Sequence, residues 1–178
     1  MGKTITRSFR IGQEAFDALK EDAERKEITV NTLVNQLFLE HKDFDVYFER
    51  MGVIKISAAT FSLLLGAAPE ERIAEVGRKA GMDVPKAIII AKEGVLSLQT
   101  VLNFLRMMSQ YANLFEYNEV VSSDGRSKII TLMHSLGQNG SQFLINYVRA
   151  IFEGINLEPK ISSSEHSVVI ELLPFLRE

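Results

Sequence analysis

TITRSFRI, residues 4–11, alternates between two kinds of side chain. One face carries Ile5, Phe9 and Ile11, with Arg7 as an interruption. The opposite face is polar throughout and consists of Thr4, Thr6, Ser8 and Arg10. A period of two with β-branched and aromatic residues predicts a β-strand. Because one strand alone is unstable and the next segment has helical periodicity, the strand is expected to pair with its copy in a second chain, across a two-fold axis.

Two helices are predicted after Gly12, which ends the strand. The first covers residues 13–26, where apolar residues recur at steps of three and four. Thr29 is suited to cap the second helix. The apolar stripe of that helix consists of Leu33, Val34, Leu37, Phe38 and His41. No glycine or proline interrupts the chain before Gly52, so the second helix is expected to reach at least His41 and could continue through Phe44 and Phe48.

This order of strand, helix, short turn and capped helix resembles the ribbon-helix-helix family of DNA-binding proteins over about residues 3–42. The run Ile28-Thr29-Val30-Asn31-Thr32-Leu33 is similar to the family's turn into its second helix. The resemblance implies an intertwined dimer whose two strands pair antiparallel and enter the DNA major groove as a ribbon. Such a ribbon can also be purely structural, but an outward face of threonine, serine and arginine has no packing purpose.

Two sets of DNA contacts follow from matching this sequence to the family's layout. The residues expected to contact base edges are Thr6, Ser8 and Arg10. The residues expected to contact phosphates are Lys3, Arg7, Thr29, Val30 and Asn31. Arg10 can donate two hydrogen bonds to guanine, and the free N–H groups at a helix start attract a phosphate. Arg7 departs from the pattern because it lies on the apolar face, and an outward Arg7 would change the register of the strand.

The charge distribution agrees with a local rather than a general affinity for nucleic acid. A formal net charge of −3 argues against a protein that coats nucleic acid by bulk charge. Positive charge is concentrated at the start of the chain, where Lys3, Arg7 and Arg10 precede the first acid, Glu14. Specific binding requires only such a local excess.

The remaining residues predict a second domain, so that the boundaries are 1–50 and 51–178. Short helices are expected after a strand candidate at Val53-Ile54-Lys55-Ile56. The period then changes, and strands are predicted at 115–121, 127–133, 160–162 and 167–172, with a helix at 140–154 between the two pairs. The sequence 123–126, SDGR, is a hairpin signal. The fold class is therefore α+β with an antiparallel sheet, in a regulatory, ligand-sensing or oligomerisation domain.

The sequence of this second domain shows no pattern typical of a catalytic or metal-binding site. The three histidines, His41, His134 and His166, lack the spacing of a helical metal site, and the chain has no cysteine. No nucleophile and base are placed together, so neither an enzyme, nor a cofactor, nor a metal is expected. Phe104, Met107 and Met108 are expected in the core, where they could instead line an apolar pocket for a small-molecule effector.

The sequence therefore predicts a transcriptional regulator, such as a repressor, that binds double-stranded DNA as a homodimer or higher homo-oligomer. The alternative is an antitoxin-like or other partner-binding protein whose C-terminal domain engages another protein. An antitoxin tail is typically disordered, whereas this region is apolar and periodic enough to fold alone. The absence of cysteine fits a cytoplasmic protein, and no run approaches the ~20 apolar residues of a membrane helix.

Overall fold

A computed structural model describes residues 5–123, 125 and 127–173 of the 178-residue chain. The chain forms two compact units, Met1–Lys42 and Asp43–Glu178, which we call the N-terminal unit and the C-terminal unit. The division therefore falls before the predicted boundary at residue 50. The reason is that Phe44 and Phe48 are buried in the core of the C-terminal unit.

The N-terminal unit contains helices α1 (Gln13–Arg25) and α2 (Val30–Glu40), which pack against each other around the buried side chains of Ala23 and Leu33. A tight turn joins them, because Glu27 adopts a left-handed backbone conformation (φ 54°). The N–H of Ile28 then donates to the carbonyl of Ala23 at 3.0 Å, which satisfies a carbonyl at the end of α1.

Residues 5–12 form no regular element in the single chain, and Thr4 lies outside the described residues. The predicted strand needs a second copy as its partner, so the ribbon stays a prediction. The helical prediction for the following chain is confirmed. α2 continues without a break into a π-helical turn, His41–Asp45, and then into α3 (Val46–Arg50).

Four further helices precede the sheet of the C-terminal unit: α4 (Ala58–Gly66), α5 (Glu70–Met82), α6 (Val84–Glu93) and α7 (Leu98–Met107). Ser57 and Ser97 cap α4 and α7, and Ser97 forms a reciprocal capping box with Thr100. α7 ends in a second π-helical turn, Met108–Ala112. The predicted strand at residues 53–56 is wrong, because the four described strands pair only with one another and leave this segment outside the sheet.

The sheet follows the predicted strand–strand–helix–strand–strand order. Its strands are β1 (Glu116–Val121), β2 (Lys128–Met133), β3 (Lys160–Ser164) and β4 (Ser167–Leu172), and α8 (Gly137–Glu153) lies between the two pairs in sequence. All neighbours are antiparallel in the spatial order β1-β2-β4-β3. The α+β class with an antiparallel sheet is confirmed.

α8 occupies the centre of the C-terminal unit, since it packs on α5 as well as on β3 and β4. α5 approaches it closely through Gly77 and Gly81, which lie one helical turn apart. A Cβ atom at either position would overlap a backbone carbonyl oxygen of α8, that of Phe143 or of Tyr147. The absence of a side chain on this face of α5 therefore sets the distance between the two helices.

No single helix within the described ranges is both long enough and apolar enough to cross a bilayer. One pair of helical segments, Glu70–Glu93 with Leu98–Ala112, has that length and composition when taken together, but it is bent by 103°.

Gly81→Ala should destabilise the C-terminal unit by about 1–3 kcal/mol or more, because overpacking against a backbone carbonyl cannot be relieved by rotating a side chain. Gly66→Ala is the matched control, since nothing lies within 4 Å of its added Cβ. Its free energy of unfolding should be unchanged or higher by up to about 1 kcal/mol. Urea unfolding of the two variants checks this, and equal stabilities would contradict the close helix contact.

Candidate nucleic-acid interface

The segment expected to contact bases is exposed in the single chain. Thr6, Ser8 and Arg10 are all solvent-accessible, and so is Arg7. Phe9 contacts Phe38 of α2 edge-to-face, with 6.2 Å between the ring centroids. No hydrogen bond or ion pair is found for the side chains of Thr6, Ser8 and Arg10 among the described residues. Lys3, a predicted phosphate contact, lies outside those residues.

The start of α2 has the geometry that a phosphate site requires. Thr29 has an extended backbone, and its Oγ1 accepts a hydrogen bond from the N–H of Thr32 at 3.1 Å. The carbonyl of Thr29 accepts from the N–H of Leu33 at 3.0 Å. The N–H groups of Val30 and Asn31 have no acceptor among the residues described, as expected of the first helical positions. The first turn contains no acid, so nothing there opposes the approach of an anion.

The predicted phosphate contacts Thr29, Val30 and Asn31 are thus brought together by the cap. Within the described chain, no hydrogen bond or ion pair joins them to residues 5–12. The structure thus brings one predicted set together at the start of α2 and shows no polar contact between it and the other set.

A set of large apolar side chains on the N-terminal unit is uncovered. We call this set the exposed apolar stripe; it consists of Ile5, Phe9, Ile11, Phe16, Leu37, Phe38 and Leu39. Phe9 is 68% exposed and Phe38 55% exposed, values that are unusual for side chains of this size. Leu33, which the sequence places on the apolar stripe of the second helix, is buried within its own chain, at 1% exposure.

The C-terminal unit contains an apolar groove of about 640 Å³. Its aromatic lining consists of Phe44, Phe48, Phe61 and Tyr111, and residues 53–57 form part of its wall. The predicted core positions Phe104, Met107 and Met108 are buried, as expected. Met108 also lines the groove, whereas Phe104 and Met107 line a separate cavity of about 220 Å³.

Sequence reasoning missed the aromatic lining of this groove. The available signal was the lack of a glycine or proline before Gly52, which allowed the second helix to continue through Phe44 and Phe48. Nothing in the sequence indicates that Phe61 and Tyr111, from two other regions, come to the same groove.

His134 has partners for both ring nitrogens. The N–H of Leu136 donates to Nδ1 at 3.2 Å, so the proton of the neutral ring is on Nε2, which lies 3.0 Å from Oγ of Ser141. Ser141 donates in turn to the carbonyl of Ser164 at 2.6 Å and is completely buried. This serine cannot meet a substrate, and the chain of bonds instead ties the start of α8 to the β3–β4 turn.

Glu119 is held in a second polar cluster on the sheet. Arg106 donates to both of its carboxylate oxygens, at 2.9 and 2.7 Å, and the hydroxyl of Tyr117 donates at 2.6 Å. Burial opposes the charge of Glu119, but these hydrogen bonds outweigh it and lower its pKa. Glu119 is therefore an anchored carboxylate. In the described part of the chain, no three His, Asp or Glu side chains are grouped as metal ligands would be.

Comparison with known proteins adds no relative: the chain matches no protein-family model, no curated protein and no solved structure. The resemblance over residues 3–42 therefore rests on the sequence pattern.

The stability of the protein should fall as the pH is lowered through about 6.5. Burial, together with the nearby charge of His166, lowers the pKa of His134 from its ordinary value of 6.5. The unfolded chain then binds the proton more tightly than the folded chain, so this contribution to stability is present above that value and lost below it. Urea unfolding at several pH values should show a smaller loss in His134→Gln than in the control His41→Gln, because His41 is exposed and belongs to the N-terminal unit. Equal losses would exclude His134 as the cause.

Proposed function

We propose that the protein is a sequence-specific DNA-binding transcriptional regulator, which dimerises through its N-terminal unit and contacts the major groove with a two-stranded β-ribbon. The observation that supports this proposal most is the exposed apolar stripe beside a basic, acid-free segment. An exposed apolar surface of this kind is typical of a protein–protein interface, and a basic polar segment attracts an anionic ligand.

A second copy of the chain would be the protein partner that covers the exposed apolar stripe. Residues 5–11 pair with no strand among the described residues, and pairing across a two-fold axis would supply a partner while covering Phe9 and Phe38. The same pairing would place the two copies of Arg10 on one outward face, together with Thr6 and Ser8.

DNA would be the anionic ligand of the basic segment. Threonine, serine and arginine side chains on a ribbon can donate to base edges in the major groove, and arginine can form two bonds to guanine. The N–H groups of Val30 and Asn31 would hold a phosphate and fix the orientation of the protein on the duplex. Thr29 supports this role indirectly, because its cap orders the helix start.

The alternative, an antitoxin-like or other partner-binding protein, is less well supported. The C-terminal unit has a contiguous hydrophobic core, to which each of its described helices and strands β2 and β4 contribute buried side chains, among them Ile130, Phe152 and Ile170. A segment that folds on its own differs from a tail that is ordered only by its target.

Phe9→Ala should weaken the dimer strongly. If Phe9 is buried between two copies, its truncation costs about 3–5 kcal/mol. Ile54→Ala is the control, since Ile54 is comparably exposed but belongs to the C-terminal unit. Sedimentation at micromolar concentration should show a dimer for the parent chain and for Ile54→Ala, and dissociation for Phe9→Ala. A stable, folded monomer of the parent chain would refute the proposal.

Arg10→Ala and Asn31→Asp should weaken DNA binding in different ways. Arg10→Ala removes a base contact, so it should cost roughly 1–3 kcal/mol per half-site on a sequence enriched from a random DNA pool and much less on scrambled DNA. Asn31→Asp places a negative charge beside a phosphate and should weaken binding to both DNAs.

Asn35→Asp is the control for the added charge, because Asn35 is exposed on α2 one turn farther from its start. Its effect on affinity should be smaller than that of Asn31→Asp. If Arg10→Ala lowers the affinity for the enriched and the scrambled DNA equally, Arg10 contacts a phosphate instead of a base. The predicted register of the strand would then be wrong. Failure of the pool to enrich any sequence would contradict the proposed function.

A further inference from the structure

We propose that the groove of the C-terminal unit is a binding site for a hydrophobic organic cation, that is, a positively charged centre carried by an apolar body. The site concerns the C-terminal unit alone, and its existence does not depend on DNA binding. Only the idea that such a ligand regulates the protein rests on the proposed function.

The size and lining of the groove favour an apolar body of small-molecule dimensions. Its volume of about 640 Å³ lies within the range of roughly 300–1,000 Å³ that small-molecule sites occupy. Met108, Leu114 and Leu136 contribute aliphatic or thioether surface to the lining. A ligand that displaces water from these side chains gains the free energy of apolar burial.

The aromatic side of the groove favours a positive charge. The buried rings of Phe44 and Phe48 stack on each other with 4.0 Å between centroids, and the half-buried ring of Tyr111, 5.8 Å from that of Phe44, is the most accessible of the three. Aromatic faces attract cations through the negative charge of the π-system, and they attract most strongly where water is displaced. These three rings come from two separate helical segments that converge on one groove.

The ionised side chains that line the groove also favour a positively charged ligand. Two carboxylates, Asp45 and Glu49, and one ammonium group, Lys55, leave the groove with a formal charge of −1. Lys55 Nζ lies 3.7 Å from Oδ1 of Asp45, and its side chain is 81% exposed, so water screens this pair. Glu49 forms no hydrogen bond or ion pair through its side chain within the described ranges, and its charge is available to a ligand.

An anionic or a neutral ligand fits this lining less well. An anion of the same shape would face both carboxylates, and Lys55 is already paired with one of them. A neutral ligand would gain apolar burial but neither the charge attraction of Glu49 nor the cation–π contacts.

The test compares two ions of matched shape and opposite charge, tetraphenylphosphonium and tetraphenylborate. Titration calorimetry with the full-length chain, in sodium buffer without DNA, should show saturable binding of tetraphenylphosphonium. Tetraphenylborate should bind at least about tenfold more weakly. Equal binding of the two ions, tighter binding of tetraphenylborate, or no binding of tetraphenylphosphonium would overturn the proposal.

Charge variants then locate the interaction. Glu49→Gln should weaken tetraphenylphosphonium binding by about three- to tenfold, and Lys55→Gln should strengthen it by a similar factor. Glu158→Gln is the matched control, because Glu158 is exposed in the same unit but does not line the groove. An equal effect of Glu49→Gln and Glu158→Gln would show an influence of net charge alone and would overturn the proposal.

A steric variant shows whether the groove itself holds the ligand. Ala112 lines the groove and is exposed, so a larger side chain there can fill the space without disturbing the core. Ala112→Trp should abolish tetraphenylphosphonium binding while the circular dichroism and unfolding curves remain those of the parent chain. Unchanged affinity in this folded variant would place the ligand elsewhere and overturn the proposal. Since every measurement is made without DNA, its failure would leave the proposed DNA binding untouched.

Discussion

The close contact between α5 and α8 is the constraint on which the C-terminal unit depends. Because Gly77 and Gly81 carry no side chain, the backbone of α5 lies directly on the turns of α8 that contain Phe143 and Tyr147. α8 packs on β3 and β4 in turn, so one helix connects the helical layer to the sheet. A side chain at Gly77 or Gly81 would push these layers apart and open the core.

The sheet could be predicted from the sequence because its signals are local. The period of two in residues 115–121 and 127–133, with the turn between them, predicts a hairpin that the register of Val121 opposite Lys128 confirms. The apolar run at residues 53–56 shows the limit of such reasoning. Alternating apolar residues suit a strand, but they equally suit an extended wall of a groove, and only the tertiary contacts decide between the two.

The candidate sites also differ in whether local sequence signals can predict them. The cap at Thr29 is a local feature, so the sequence indicates it and the predicted hydrogen-bond geometry of the helix start is present. The groove combines Phe48, Phe61 and Tyr111, which are distant in sequence, and no local pattern brings them together. The ribbon belongs to a third kind, because its hydrogen bonds would be made between two chains. The role of Gly77 and Gly81 is not predicted by the sequence either. A glycine inside a helix lowers the helix propensity of the segment and gives no sign of what the glycine contacts.

The two outer strands of the described sheet have a consequence for the behaviour of the protein in concentrated solution. β1 and β3 lie at the ends of the order β1-β2-β4-β3, and unpaired strand edges can recruit further chains into aggregates. β1 carries two acids, Glu116 and Glu119, while β3 is only five residues long and begins with Lys160. Because Glu119 is paired with Arg106, the like charge that two copies of β1 would bring together edge to edge is chiefly that of Glu116. Charged residues at the sheet margin thus oppose edge-to-edge association of the C-terminal unit, a resistance to which its packed interior contributes nothing.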